Sequence, residues 1–247
     1  FFSSQKYDIL DNEGGGDCFF AVVRDAYRQI MEGNKKMSIK KLRGVMLKYV
    51  TPELFDNFFV LFNGFNNERI GIIKQLHEYE KERDALLSLF ENEQNAEKQR
   101  EYISRLENLQ TILKGLQKEK EQNDQLVNEY RFMKNVKNID DFKRIIQTCE
   151  FWAETWAISS LERGLKTKII VLSSENYHAG DVENVLLCGQ ENFHDEPIFE
   201  PKYYIITEHT GEHYKLITYD NKKMFNYDQL PSEIKKLVVN KCMETQG

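Results

Sequence analysis

Cysteine is scarce and scattered: the 247 residues hold four, Cys18, Cys149, Cys188 and Cys242, with no Cys-x-x-Cys pair among them. Such spacing argues against a zinc site or a disulfide frame and fits free thiols in a reducing, cytoplasmic compartment. No apolar run approaches the ~18 residues of a membrane helix, and the chain does not open on a basic segment followed by a long apolar stretch. A soluble protein without a membrane partner is expected. The chain starts at Phe1 and not at Met, so it is expected to be a piece of a longer one. Positive charge is also short, with 34 Lys and Arg against 40 Asp and Glu, a net charge of −6. That sign excludes holding duplex nucleic acid by counterion release as the main business of the chain. Proline numbers only four. No Pro- or Ser-rich linker divides the sequence, which reads as a single domain over 1–247.

What is abundant lies in the middle. Residues 66–134 are rich in Glu, Lys, Gln and Asn, contain no proline, and repeat apolar residues at steps of three and four. Leu76, Tyr79, Leu86 and Phe90 form one seam; Tyr102, Leu106, Leu109, Leu113, Leu116, Val127 and Tyr130 form another, broken at Lys120 and Asn123. Glu91 to Asn95 separates them. The pattern predicts an antiparallel helical hairpin with arms of about 25 residues, roughly 37 Å each, projecting from a body. Before it, helices are expected from Asp17 to Gly33, with Phe20, Val23, Tyr27 and Ile30 on one face, and after Ser38, with a short third starting at Thr51-Pro52. After it, helices are expected over Asp140 to Cys149 and Trp152 to Arg163, stopped by Gly164. Trp152 and Trp156, four apart, read as core packing. Strands follow at Lys168 to Ser173, Asn184 to Cys188, Lys202 to Thr207 and His213 to Tyr219, and a last helix opens at Leu230-Pro231. This is an α/β (α+β) body with a small central sheet flanked by helices, interrupted by a long helical hairpin insertion.

The stretch that carries chemistry is Gly14-Gly15-Gly16-Asp17-Cys18, entering a helix at Cys18. Unpaired N–H groups and the positive end of the helix dipole favour a thiolate, and the backbone N–H groups of Gly16, Asp17 and Cys18 can hold an oxyanion. A buried structural cysteine is the plain alternative. A phosphate cradle lacks the Gly-Lys-Ser or Gly-Lys-Thr it would need. Arg24 lies at the spacing of cysteine-dependent phosphatases, but the residues between, Phe19 to Val23, are apolar and contain no glycine. A nucleophilic thiol needs an imidazole. Of the five histidines, His77, His178 and His194 fall on the charged arm or in polar loops. His209 and His213 flank a turn, which removes the shared helical face that a zinc site would use. His213 opens a strand and is the best base. No metal or cofactor is implied.

The combination of Gly-Asp-Cys-Phe-Phe at 16–20, Trp152-Ala153-Glu154 running to Leu161 and the strand Ile169 to Leu172, and His213-Tyr214 resembles the OTU (ovarian tumour) cysteine proteases, most of which are deubiquitinases. The triple glycine and long insert are most similar to those of large DNA viruses or intracellular bacteria. The resemblance implies a papain-type OTU body, ubiquitin or a ubiquitin-like modifier as partner, cleavage after its C-terminus through a thioester, and a host-cytosolic or cytoplasmic setting. The other reading is a ubiquitin-binding scaffold that acts through the helical arm with little or no turnover. Two positions depart from the family: Gly15 stands where Asp often precedes the nucleophile by three, and Lys215 where an acid often follows His by two. The group that orients His213 is then expected from the segment before the nucleophile, with Asp11 chosen over Asp8, Asn12 and Glu13.

Overall fold

The computed structural model describes residues 5–31, 36–152, 155–187 and 200–242. In chain order its elements are β1 (Tyr7–Leu10), α1 (Cys18–Tyr27), α2 (Ile39–Met46), α3 (Pro52–Asn92), α4 (Ala96–Glu129), α5 (Ile139–Ile146), α6 (Thr155–Leu165), β2 (Thr167–Ser173), α7 (Ser174–His178), β3 (Leu186–Leu187), β4 (Tyr203–His209), β5 (Tyr214–Tyr219) and α8 (Ser232–Cys242). The result is a mixed α/β chain that falls into two compact units, Phe1–Val50 with Lys143–Gly247, and Thr51–Phe142.

The first unit is built on a five-stranded sheet in the order β1-β5-β4-β2-β3. β2 and β4 run parallel, and the other pairings are antiparallel. Ile-Ile-Val-Leu in β2 is buried along its length, as a central parallel strand requires. Ile170, Leu172, Ile206 and Ile217 pack with Phe225, Leu230 and Ile234 of the C-terminal segment. α1 is buried from Cys18 through Val23 and packs on β5. A helix with no wet face in its first two turns is fixed in position, and so is the residue that begins it.

Local sequence explains most boundaries and corrects several expectations. Ser38 Oγ accepts the Lys41 N–H at 3.2 Å and starts α2. α1 ends at Tyr27, well short of Gly33, leaving Ile30 41% exposed. Gly164 lies inside α6, and the chain leaves that helix through Lys166 at φ 49°. Trp156 is buried, but Trp152 precedes the helix and is 40% exposed, so the two do not form one packed stripe. The expected strand at Asn184 to Cys188 is reduced to Leu186–Leu187; Cys188, along with Ala153, Glu154 and His194, lies outside the described residues.

In the second unit, Thr51 Oγ1 accepts the Leu54 N–H at 3.1 Å, Pro52 occupies the first turn, and α3 then runs unbroken for 41 residues. The expected short helix and the start of the arm at 66 are therefore one element. The composition change near 66 marks a change of neighbours. Phe55, Phe58 and Phe65 sit among Tyr130, Phe132 and Phe142, with Phe58 5.6 Å from Phe132 and 5.5 Å from Phe142 between ring centroids. Beyond this aromatic base the seam is Ile72, Leu86, Leu109 and Leu116. Asn123, expected to break it, is buried and donates to Glu68 Oε2 at 3.1 Å. Arg69 with Asp124, and Arg105 with Glu82 at 3.4 Å, show that α3 and α4 pair antiparallel. The chain reverses at 93–95, where Asn95 Oδ1 accepts the N–H of Glu97 at 2.9 Å. Among the described residues, no helix is long and apolar enough to cross a membrane.

Candidate active site

Backbone geometry explains the glycines before Cys18. Gly15 has φ +81°, a left-handed conformation that side-chain-bearing residues rarely adopt. A Cβ on Gly16 would lie 1.8 Å from the Cys149 carbonyl oxygen and 3.2 Å from Trp152 Cδ1, so only glycine fits against that wall. Cys18 begins α1 and is 3% exposed. Its N–H donates to Gly15 O at 3.1 Å. Of the three groups expected to hold an oxyanion, Cys18 N–H is thus already engaged, whereas the N–H groups of Gly16 and Asp17 have no acceptor among the described residues.

The thiol itself departs from the expectation of a helix start. Burial pushes its pKa up and the Asp17 carboxylate adds to this, while the backbone N–H groups of Tyr214, Phe19 and Cys18 pull the other way without winning. Desolvation of the sulfur outweighs these N–H groups. A thiol in this state needs a base to remove its proton.

His213, the residue expected as base, lies in the turn between β4 and β5. β1 pairs antiparallel with β5, Leu10 opposite Leu216, which brings the residue after β1 beside the residue before β5. His213 Nε2 donates to Asp11 Oδ1 at 2.7 Å, leaving Nδ1 as the basic nitrogen of the neutral ring. The His213 hydrogen bond, followed by the Asn12 N–H at 2.9 Å, holds the Asp11 carboxyl below its ordinary range. Lys215 Nζ stands 3.8 Å from the other oxygen, Oδ2. The His213–Tyr214 segment is close to the nucleophile loop and to Cys18. A Cβ on Gly14 would be 4.0 Å from His213 Cε1, and the next residue, Tyr214, brings its N–H to the Cys18 sulfur.

None of the other candidates for orienting His213 shows a hydrogen bond to it among the described residues. Asp8 lies opposite Thr218, farther along β1, and its carbonyl accepts the Thr218 hydroxyl at 3.4 Å. Asn12 Nδ2 donates to Tyr214 O at 2.7 Å, clamping the loop to β5. Glu13 is tied to Arg24, whose guanidinium holds its carboxyl down at about 2. Arg24 also bonds Asp25, so the residue at phosphatase spacing points its charge at two carboxylates. Residues 19–23, which would have to wrap a phosphate, are buried in α1.

Arg43 escaped the sequence reading. It is 1% exposed, on α2 beside Leu42 and Met46, and its guanidinium lies 4.1 Å from the Phe20 ring centroid. All five of its N–H donors are used. Nε and one terminal nitrogen bond Asp17 Oδ1 at 3.1 and 2.7 Å, the same terminal nitrogen bonds Gly16 O at 2.9 Å, and the other bonds Ile146 O and Phe151 O at 2.8 and 3.1 Å. An arginine within an otherwise apolar helix face was the only signal in the sequence. Trp152, read as core, instead lies against Gly16.

The remaining histidines stand apart. His209 ends β4, stacks on Tyr214 with centroids 4.4 Å apart, and is held below its ordinary pKa by burial. His77 and His178 are exposed on α3 and α7. Among the described residues, no group of three or more His, Cys, Asp or Glu side chains could hold a metal ion.

No protein-family model matches the chain, and no curated protein matches it. Among solved structures, the chain is similar to an ovarian tumor (OTU) domain in complex with ubiquitin, with a TM-score of 0.42 and 12% identity, covering 98% of this chain and 88% of that one.

Proposed function

We propose that the chain is an OTU-type cysteine protease that hydrolyses the isopeptide or peptide bond at the C-terminus of ubiquitin or a ubiquitin-like modifier. The observation that carries the chemistry is the Asp11–His213 hydrogen bond of 2.7 Å beside a loop that delivers Cys18 at a helix start. Asp11 fixes the imidazole with Nε2 protonated, and Nδ1 takes the Cys18 proton. The thiolate attacks the carbonyl carbon, and the developing oxyanion is met by the N–H groups of Gly16 and Asp17. Collapse of the tetrahedral intermediate breaks the C–N bond; imidazolium returns its proton to the leaving amine and a thioester remains. Water, deprotonated by His213, then hydrolyses the thioester and frees Cys18. The buried, protonated resting thiol suits this order, because the proton leaves only when the imidazole accepts it.

The modifier is inferred from the resemblance carried by Gly16 to Phe20, Trp152 to Leu172 and His213-Tyr214. On this reading α3 and α4 are an insertion in the OTU body. Ubiquitin with an electrophile at its C-terminus is expected to label the wild type at Cys18 and to leave Cys18→Ala unlabelled. Labelling of Cys18→Ala to a comparable extent rules out the thiol mechanism. Tight binding of ubiquitin by a wild type that takes no label favours the scaffold reading.

A further inference from the structure

We propose that Arg43 is a positioning residue for the oxyanion hole: by holding the Gly16 carbonyl it turns the Gly16–Asp17 peptide so that the Asp17 N–H faces the reacting carbonyl. The proposal rests on the reading of Cys18 as an acyl-transfer nucleophile. A trans peptide is planar, with its C=O and N–H pointing in opposite directions. Gly16 O points into the buried guanidinium, at 2.9 Å, so the Asp17 N–H points away from Arg43 and α2. That N–H has no acceptor among the described residues, whereas the next one, on Cys18, is spent on Gly15 O. The peptide is held at both ends of its rotation, since the same nitrogen that bonds Gly16 O also bonds Asp17 Oδ1 at 2.7 Å. Gly16 cannot swing away, because the Cys149 carbonyl stands against its Cα.

The anchor of this device is itself immobile. Ile146 O and Phe151 O, at the two ends of the segment that forms the wall beside Gly16, fix the far side of the guanidinium, and Phe20 of α1 lies under it. One planar cation therefore ties α1, α2, the nucleophile loop and that wall together. Its charge has a second effect. The Asp17 carboxylate next to Cys18 opposes thiolate formation, and Arg43 offsets that charge. Lysine offers a charge but only three donors on a flexible stem, so it can face Asp17 without holding Gly16 O and the two other carbonyls as well.

The test uses the full chain as wild type, Arg43→Lys and Asp17→Asn. Active sites are counted with the ubiquitin electrophile, turnover is measured on a ubiquitin C-terminal fluorogenic amide, Cys18 alkylation by chloroacetamide is timed, and unfolding temperature is recorded. Alkylation forms no oxyanion, so it reports the thiol alone. Arg43→Lys is expected to lower kcat per titrated site by about 10²-fold, the usual cost of one oxyanion donor. KM and alkylation rate should stay within about threefold, as for a contact realised only in the transition state. A residue that merely stabilised the fold would lower the number of titratable sites and leave kcat per site unchanged, and that result overturns the proposal. Should Arg43→Lys fail to fold, Asp17→Asn decides, because it keeps every acceptor around Arg43. Its kcat is expected to fall by less than about tenfold, and a loss near 10²-fold would place the effect in the Asp17 charge and overturn the orientation account. A wild type that neither takes the electrophile nor cleaves the amide removes the cysteine-protease reading and this proposal with it. A wild type that turns over, beside an Arg43→Lys of equal kcat, removes the proposal alone.

Discussion

Asp11 has a different partner on each carboxylate oxygen: His213 and Asn12 N–H on Oδ1, Lys215 on Oδ2. Lys215 would disfavour the imidazolium if it faced the ring alone. With the carboxylate between them, the cation is offset and the ring keeps an anion at hydrogen-bond distance. Asp11→Asn preserves shape and removes that charge, and it can present an N–H where Nε2 needs an acceptor. It is expected to lower turnover by about 10²- to 10⁴-fold, the upper figure being the loss known for the equivalent change in chymotrypsin-type enzymes. Asp8→Asn, which alters a side chain opposite Thr218, is expected to stay within about threefold. Turnover of both variants on one substrate, with unfolding temperatures as control, checks the assignment. Equal turnover in Asp11→Asn and wild type would leave a Cys-His pair acting without this acid.

The nucleophile loop works as an element because two of its three neighbouring glycines meet different demands. Gly14 has room to spare, Gly15 needs a positive φ, and Gly16 needs the absence of a side chain. Gly14→Ala is accordingly expected to fold and to label at Cys18 much as wild type does. Gly16→Ala forces the loop away from the Cys149 carbonyl and is expected to abolish labelling and lower stability by several kcal/mol, in the range for overpacking and lost networks. Probe labelling and thermal unfolding of the two variants check this, and a Gly16→Ala that labels normally would show that the wall yields.

The sequence made the demand for glycine visible but not its cause, since Cys149 and Trp152 are far away along the chain. The strands were readable within a few residues because their alternation and apolar runs are local signals. Asp11 could be chosen only on condition that β1 lay beside β5, and the pairing of Leu10 with Leu216 meets that condition. Three features differ from the local sequence pattern for a common reason: α3 runs unbroken through 66, Trp152 lies apart from Trp156, and the Cys18 thiol is held up in pKa at its helix start. In each, a local pattern was overruled by neighbours distant in sequence. The aromatic base gives way to the charged seam along one continuous α3, Trp152 lies against Gly16 before α6 begins, and burial of the sulfur exceeds the pull of the backbone N–H groups.

At the scale of the whole molecule, all the groups given catalytic roles lie in the unit formed by Phe1–Val50 and Lys143–Gly247, whereas α3 and α4 belong to Thr51–Phe142. The second unit holds its own aromatic base around Phe58 and its own polar cross-links, Glu68 with Asn123 and Arg69 with Asp124. The distal hairpin beyond these links contributes Leu86 and Leu109 to its own seam. Deleting residues 76–115 and joining Gln75 to Leu116 through a polar loop of about four residues should therefore leave the base and both cross-links in place. The shortened protein is expected to fold cooperatively, with less helical circular dichroism, and to turn over a small C-terminal peptide amide within about threefold of wild type. A chain that unfolds on shortening would make the distal hairpin part of the folding unit of the active site. Cleavage of whole ubiquitin conjugates then assigns the arm its role. If conjugate cleavage falls while peptide turnover holds, the arm carries binding energy for the modifier. If the two stay in step, the hairpin packs only on itself, and recognition belongs to the unit that holds Cys18, His213 and Asp11.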